Sequence, residues 1–470
     1  MRKTKIVCTI GPACGNKETL KEMCLAGMNV ARLNFSHGTH ESHAEMIALL
    51  KEVRRELNRP LAIMLDTKGP EVRIKTFRDG KVTLTPGQLF TFTVKDRIGD
   101  ETGVSVTYPN LIRDLKPGDT VLLNNGLLRF TVRELNDFDA VCVVEEGGVL
   151  SDRKSMSFPG RLLSQTYLSE QDKSDLLFGI EQDVDFVACS FVSRKQDRVD
   201  VKAFLAAHGA KGIELIAKIE NRSGVDNIDA ICEECDGIMI GRGDMGVEIP
   251  FEELPAIQKH LITECRMLGK RVITATEMLE SMIHNPRPTR AETSDVANAV
   301  YDGTSAVMLS GETAAGQYPV LTVATMARIA EEAEKHIDYA HRFIGADFKI
   351  HNIVDAISHA TCGMAIDIHA QAIAVCSLSG ATVRMVSRFR SPVDILGVTT
   401  DEKTWHKLAL SWGVTPVMSE TFTSTDVLFY TAKNLAKQMF DLKSGERVVI
   451  TGGMTNGVSG NTNLIKVETV

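Results

Sequence analysis

The sequence predicts an α/β protein: a (β/α)8, TIM-type barrel with an inserted small β-barrel lid domain and a C-terminal open α/β domain. Three observations carry this expectation. Eight short β-branched runs alternate with helical patterns over about the first 70 residues and again from about 170 to 340, and such alternation builds a parallel sheet with helical crossovers. Between the third and fourth runs lies a segment of different texture, alternating as in KVTLTPGQLFTFTV, with turn signals at Pro-Gly, Asn-Asn-Gly and Gly-Gly. Past about residue 342, further apolar runs alternate with amphipathic helices.

The eight barrel runs are KIVCTI, NVARLNF, LAIMLDT, DFVACSF, ELIAKIE, GIMIGRGD, RVITATEM and SAVMLSGE. The expected bounds are 1–69 with 166–342 for the barrel, 70–165 for the insertion and 343–470 for the last domain. An insertion that follows a barrel strand hangs over the face where the strands end, and so is expected to act as a lid. The last domain takes its strands from QAIAVCS, DILGVTT, VTPVMS and RVVITGG, and one helix from TSTDVLFYTAKNLAKQMF.

Bulk properties exclude several classes. With 470 residues, a formal charge of -8, 43% hydrophobic and 24% charged residues, the chain suits a globular protein of about three domains. It has no overall basic footprint for a nucleic-acid partner. MRKTKIVCTIGP lacks the apolar region of a signal peptide, and no stretch approaches the roughly 20 apolar residues of a membrane span. Ten cysteines, several inside apolar runs (Cys8, Cys189, Cys376), read as reduced core thiols. The expected location is therefore cytoplasmic, with no membrane partner. CEEC, Cys232 to Cys235, has no second pair and does not complete a zinc motif.

In a (β/α)8 barrel, functional groups sit at the C-terminal strand ends. Unusual polar residues fall at those ends in six of the eight runs: Arg32 and Asn34, Asp66 and Thr67, Lys218 and Glu220, Asp244, Thr276, and Glu312. In ELIAKIENRSG, Lys218 and Glu220 stand two apart and share one strand face. They read either as an ion pair or as separate tools of a site, and the ring of polar neighbours favours the second. Glu220 and Asp244 are hard oxygen donors suited to Mg²⁺ or Mn²⁺, with Lys218 a point charge for a phosphoryl or enolate oxygen. Asp244 could instead cap the helix it opens. GRGDMG, Gly241 to Gly246, fits a dinucleotide fingerprint poorly and reads better as backbone N–H groups approaching an anion. No Walker loop is present. Arg32, Asn34 and Ser36 share a face near Asp66 and Thr67, which suits a monovalent cation beside a phosphate. His37 reads as a loop histidine, and Thr276 either as a core threonine or as a group near a proton transfer.

TKIVCTIGP, MNVARLNFSHG, LDTKGPEVR, AKIEN, GRGDMGVEIP, ITATEMLESMIHNPRPTRAETSDVANAVYDG and MLSGETAAGQYP together resemble the pyruvate kinase family, in order and over nearly the whole chain. The resemblance implies phosphoryl transfer from phosphoenolpyruvate to ADP, giving ATP and pyruvate in the last step of glycolysis, with Mg²⁺ (or Mn²⁺) and K⁺. It implies Glu220 and Asp244 as Mg²⁺ ligands, and Asn34, Ser36, Asp66 and Thr67 as the K⁺ site. Lys218, Arg32 and Thr276 are the implied catalytic residues, with Gly243 and Asp244 receiving the substrate carboxylate. Arg73, Lys154, Asn34 and His37 are implied at the nucleotide, and Glu312 as a possible member of a proton relay. Glu71 follows KGP as in K⁺-requiring members, where K⁺-independent ones have Lys.

The lid motif departs from the family pattern as RKSMSFPG. SLSGATVR resembles the family's effector loop, with Ser377, Ser379, Gly380 and Thr382, although Ala381 stands where a basic residue is common. With GVSGNTN, Gly457 to Asn463, it suggests a sugar-phosphate activator. NPRPTRAE resembles a segment near a subunit boundary, and the resemblance implies a homotetramer. The sequence as given ends without the further swivelling-type domain of some bacterial relatives. A metal-dependent lyase on a similar barrel, or a catalytically idle sugar-phosphate sensor, are the rival readings; ADP-dependent product formation separates them.

Overall fold

The computed structural model describes residues 1–453, 460 and 462–470. Each of the eight apolar runs supplies one strand of a closed parallel barrel: Lys5–Thr9, Val30–Asn34, Ala62–Asp66, Phe186–Cys189, Glu214–Ile219, Gly237–Gly241, Arg271–Ala275 and Ala306–Leu309. The first strand pairs with both the second and the eighth, so no edge is left open. Both faces of each strand are covered, which is why the runs are continuously apolar rather than alternating. Outward residues such as Ile63, Leu65, Ala217 and Ile240 pack under the helices.

The inward residues form a separate core, and two of its members come from far along the chain. Val7, Val30, Met64, Ile216, Met239 and Met308 pack with Ala409 and Leu410 of the C-terminal domain. That domain thus plugs the end of the barrel where the strands begin. Polar contacts surround the plug: Gly413 N–H donates to the Lys3 carbonyl at 2.8 Å, and Lys5 Nζ donates to the Val414 carbonyl at 2.7 Å. Buried Glu214 meets Arg271 at 2.5 Å, Arg384 at 3.1 Å and Lys407 at 3.3 Å.

The chain leaves the third barrel strand through Gly69, at φ +74°, where an added Cβ would lie 2.9 Å from Ser190 Cβ. The insertion is a seven-stranded, mostly antiparallel sheet beside a two-stranded ribbon of Lys81–Leu84 with Gly148–Ser151. Its edges curl toward each other, joined by an Ile74–Val106 bridge and by Lys75 N–H donating to the Ser105 carbonyl at 2.7 Å. Phe90, Phe92 and Phe130 fill the curl, Phe92 meeting Phe130 edge to face at 5.2 Å.

The C-terminal sheet runs in the order Val414–Met418, Asp394–Thr399, Ala372–Cys376, Arg447–Gly453, Thr462–Thr469. The last strand is antiparallel to its neighbour and was not expected from the sequence. TNLIKVET mixes charges into its alternation because it is an edge strand with an exposed side. NPRPTRAE leads into the helix Arg290–Asp302, with Pro286 and Pro288 preceding its Thr289 cap. No helix among the described residues is long and apolar enough to cross a membrane.

Lys5 offers a test of the plugged seam. Burial, then the nearby Arg2 charge, lowers its ammonium to about 7. An unfolded lysine titrates near 10.4, so between these values the unfolded chain holds a proton that the folded chain lacks, and stability rises with pH. Lys5→Met removes that term. Its urea midpoint is expected to exceed the wild type's most near pH 7, with the gap shrinking by at most about 1.4 kcal/mol per pH unit toward pH 10. An identical gap at both ends of the range would contradict the buried ammonium.

Candidate functional site

The strand ends expected to carry chemistry meet beneath the curled sheet. Asp66 closes the third strand with its side chain fully buried, and lies in register with Asn34 on the second. Its carboxylate accepts from Arg32 Nε at 2.6 Å and lies 3.2 Å from Lys218 Nζ. Burial alone would raise the Asp66 carboxyl; Arg32 and Lys218 outweigh burial and hold it below the usual range. Arg32 is steadied in turn by Thr9 Oγ1, at 2.9 Å.

Lys218 and Glu220 touch, Nζ to Oε1 at 3.0 Å. The expectation that they act separately therefore needs correcting: opposite charges buried together in a low dielectric attract strongly. Their pairing is not exclusive, because Lys218 also reaches Asp66 and donates to Ser190 Oγ at 2.7 Å. Burial first, then Asp244 and Asp66, outweigh the attraction of Lys218 and push the Glu220 carboxyl up to about 7. The cluster thus carries three carboxylates against one ammonium and one guanidinium.

Gly241 lies against Glu220, and an added Cβ there would sit 2.7 Å from Cγ and Oε1. The second carboxylate oxygen accepts from Phe191 N–H at 2.8 Å, with Phe191 held at φ +55°. Asp244, exposed in the short helix Arg242–Glu248, lines the same cleft as Glu220. Glu71, Ser155 and Glu248 line its lid side. Two carboxylates with room beside them suit a divalent cation that takes its remaining oxygens from water and substrate. No group of three or more His, Cys, Asp or Glu that could hold a metal occurs among the described residues.

Thr276 stands just past the seventh strand at φ +70°, and Glu277 follows at φ +54°. A β-branched residue in the left-handed region costs of the order of 1–3 kcal/mol and persists only where its surroundings fix it. Arg242 does the fixing: Nη2 donates to the Thr276 carbonyl at 2.6 Å and the Glu277 carbonyl at 3.2 Å, while Asp295 holds the guanidinium at 2.8 Å. Thr276 Oγ1 accepts from Gly243 N–H at 2.8 Å. The Gly243 N–H expected to face an anion is therefore engaged by this hydroxyl. Glu312 is fully buried and accepts from Leu279 N–H at 3.1 Å and Ser310 N–H at 2.6 Å. Its oxygens tie two loops together rather than facing the cleft.

The remaining predicted residues are more dispersed. Asn34 Oδ1 accepts from Ser36 N–H at 3.1 Å, and Thr67 O accepts from Ser190 Oγ at 2.6 Å, so all four expected K⁺ residues lie at two adjacent strand ends. Ser36 and His37 are exposed. Arg73 Nε donates to Glu71 at 2.7 Å and Nη1 to the Arg153 carbonyl at 3.0 Å; Lys154 holds the lid sheet through its carbonyl, bonded to Ile74 N–H at 3.0 Å. Neither lines the cleft with Glu220. Ser377, Ser379, Gly380 and Thr382 surround the start of the C-terminal helix Ala381–Arg388, with Gly380 at φ +73° and Thr382 Oγ1 bonded to Thr462 Oγ1 at 2.5 Å. Of GVSGNTN, residues 457–459 and 461 lie outside those described.

Sequence reasoning missed Ser190 and Arg242. Ser190 is the polar end of DFVACSF, the fourth run, and the strand-end rule applied there would have found it. Arg242 acts through backbone carbonyls, for which composition and spacing hold no signal.

Comparisons with known proteins bear on the family and the fold. The family model described as "Pyruvate kinase, barrel domain" matches residues 1–323, and "Pyruvate kinase, alpha/beta domain" matches residues 355–468. The chain is 46% identical to a pyruvate kinase of Clostridium acetobutylicum, each covered over its full length. It is also 46% identical to that of Geobacillus stearothermophilus, over all of this chain and 80% of the relative. A crystal structure of a pyruvate kinase from Cryptosporidium parvum superposes with a TM-score of 0.95 at 37% identity, covering 100% of this chain and 96% of that one. With both domains matched and the Clostridium acetobutylicum relative aligned from end to end, the chain belongs to the pyruvate kinase family, which converts phosphoenolpyruvate and ADP to pyruvate and ATP.

Proposed function

We propose that the rim cluster performs this transfer with the residues named from the sequence. The observation that carries the reading is the buried set of Asp66, Arg32, Lys218 and Glu220 beside Asp244, an arrangement of cations and carboxylates too expensive to bury for stability alone. Phosphoryl transfer asks little covalent chemistry of a protein; it asks for in-line positioning and positive charge around the moving group. Lys218 and Arg32 offer that charge as donors to phosphoryl oxygens.

Glu220 and Asp244 would hold Mg²⁺ or Mn²⁺, with Gly241 leaving the space. Asn34, Ser36, Asp66 and Thr67 would hold K⁺. When bound, these cations neutralise charge on the phosphoryl oxygens. Thr276, held out of ordinary backbone geometry by Arg242, would order the proton donor to the enolate carbon. Gly243 and Asp244 would orient the substrate carboxylate. Arg73, Lys154, Asn34 and His37 would meet the nucleotide as the segment 70–165 closes as a lid over the 1–69 and 166–342 barrel. The 343–470 segment would take a sugar-phosphate activator at Ser377, Ser379, Gly380 and Thr382, in a cytoplasmic homotetramer.

Initial pyruvate formation tests the core of the reading. With Mg²⁺ and K⁺, wild type is expected to turn over phosphoenolpyruvate only when ADP is present, and Lys218→Met to lose at least about a hundredfold in kcat with a smaller change in KM. Product without ADP, or an unimpaired Lys218→Met, would sink it.

Glu71 is bonded to Arg73 and Ser155 at the mouth of the cleft, and Lys68 Nζ lies 3.7 Å away. Glu71→Lys places an ammonium where the ion's charge would act. The ratio of activity in K⁺ to that in tetramethylammonium is expected to fall at least tenfold, roughly, in this variant. A wild type equally active in both salts would remove the K⁺ assignment.

Thr382→Val, which keeps the shape of the buried side chain but removes its hydroxyl, is expected to weaken activation by sugar phosphates about tenfold, by loss of one phosphate hydrogen bond. Sedimentation would read four-chain mass with and without activator. No response of wild type to any sugar phosphate would refute the effector site, and a monomer would refute the assembly.

A further inference from the structure

At the opposite end of the barrel from the catalytic rim, the seam with the C-terminal domain encloses a second pocket of a different chemistry. Six cations line it: Arg266, Lys270, Arg271, Arg384, Arg388 and Arg390, with no carboxylate in its lining among the described residues. Three of these are nearly fully buried, Arg271 at 4%, Arg388 at 6% and Arg390 at 5% exposure.

Their hydrogen bonds are incomplete. Arg271 uses Nη1 on Glu214 and Nε on Ser411, but Nη2 has no partner. Arg390 spends its two terminal nitrogens on Ser387, Gly303 and Ser305, leaving Nε unmatched. Arg388 bonds the Met267 carbonyl at 3.4 Å and pairs loosely with Asp355 at the same distance; its Nε and Nη2 make no hydrogen bond. Arg266 Nε is also unmatched. A buried, unsatisfied guanidinium nitrogen is costly, and natural structures keep few of them.

The local carboxylates do not balance the charge. Glu214 is shared among Arg271, Arg384 and Lys407, and Asp355, which also accepts from His351 N–H at 3.1 Å, pairs among the described residues with Arg388. Burial, then Arg266, brings the Arg390 guanidinium down to about 9. Lys270 turns its ammonium to the Cys235 carbonyl at 2.8 Å.

We propose that this seam is an oxyanion site of the inorganic phosphate class, bound by Arg271, Arg388 and Arg390 with Arg266 and Arg384 at its more exposed side. Guanidinium forks suit the oxygens of a tetrahedral anion, and several converging forks suit a dianion better than a halide. As it stands the pocket admits only a water-sized guest, so loading it moves the half-buried Arg266 or Arg384 outward. The pocket shares no lining residue with the cleft under the lid or with the Ser377–Thr382 loop, which it meets through Arg384 Nη1 donating to the Ser379 carbonyl at 3.3 Å.

Trp412 lines the pocket, with the Arg390 guanidinium 4.6 Å from its ring centre, and provides a local reporter. The chain has two tryptophans, so full-length protein carrying Trp405→Phe reports Trp412 alone. Potassium phosphate would be titrated against potassium chloride at matched ionic strength, following Trp412 emission. The expected result is a saturable response to phosphate, weakened about tenfold or more by Arg388→Gln through loss of charge-assisted hydrogen bonds, weakened less by Arg266→Gln, and unchanged by Thr382→Val. Chloride matching phosphate, no saturable response, or loss of the response in Thr382→Val would each overturn the proposal. Should Arg388→Gln fail to fold, Arg266→Gln decides: weaker phosphate binding supports the site, and an unaltered titration overturns it.

Discussion

A parallel barrel has one constraint that everything else in this molecule follows. All eight strands run in the same direction, so every return passes outside and each end of the barrel has a fixed character. At the finishing end, loops can present Asp66, Lys218, Glu220, Asp244 and Thr276 to one another although they are scattered over some two hundred residues of chain. At the starting end, the inward side chains of the same strands must be sealed from water. Ala409 and Leu410 provide that seal, and the polar contacts of Lys3, Lys5, Arg271 and Glu214 surround it.

The finishing end gathers opposite charges where water is scarce. Asp66 is the hub, since among the described residues it alone pairs with both Arg32 and Lys218. Such a cluster is a poor way to gain stability, because desolvation offsets much of the attraction. Its value lies in preorganisation: charges already stripped of water and already held need not reorganise when a phosphorylated ligand arrives. The strained Thr276 backbone follows the same logic, with Arg242 spending its guanidinium on carbonyls to keep one hydroxyl in place.

Much of this was legible in the sequence. Buried parallel strands announce themselves as short apolar runs, and the polar residue that ends each one breaks the run visibly; hence the eight strands and most of the rim. Two kinds of feature left no such mark. Thr462–Thr469 is an edge strand whose charges on one face mimic a loop. Arg242 acts on backbone carbonyls, so its partners are set by three-dimensional closure and not by spacing. The contact between Lys218 and Glu220 lies between these cases: their shared face was readable, but the position of the ammonium is also set by Asp66 and by the Ser190 hydroxyl, which come from elsewhere in the chain.

The plug formed by Ala409 and Leu410 also bears on how the molecule is made. A barrel whose interior core is completed by residues more than four hundred positions into the chain cannot finish packing before those residues have been made. At roughly 5–20 residues per second, the eighth strand emerges several seconds before the segment that closes the other end. During that interval Val7, Ile216 and Met239 lack the partners that complete their core, so the final packing of the barrel interior waits for residues 409 and 410. Three regions distinguishable by eye in the sequence are therefore not three independent folding units, because the first and the last share one core.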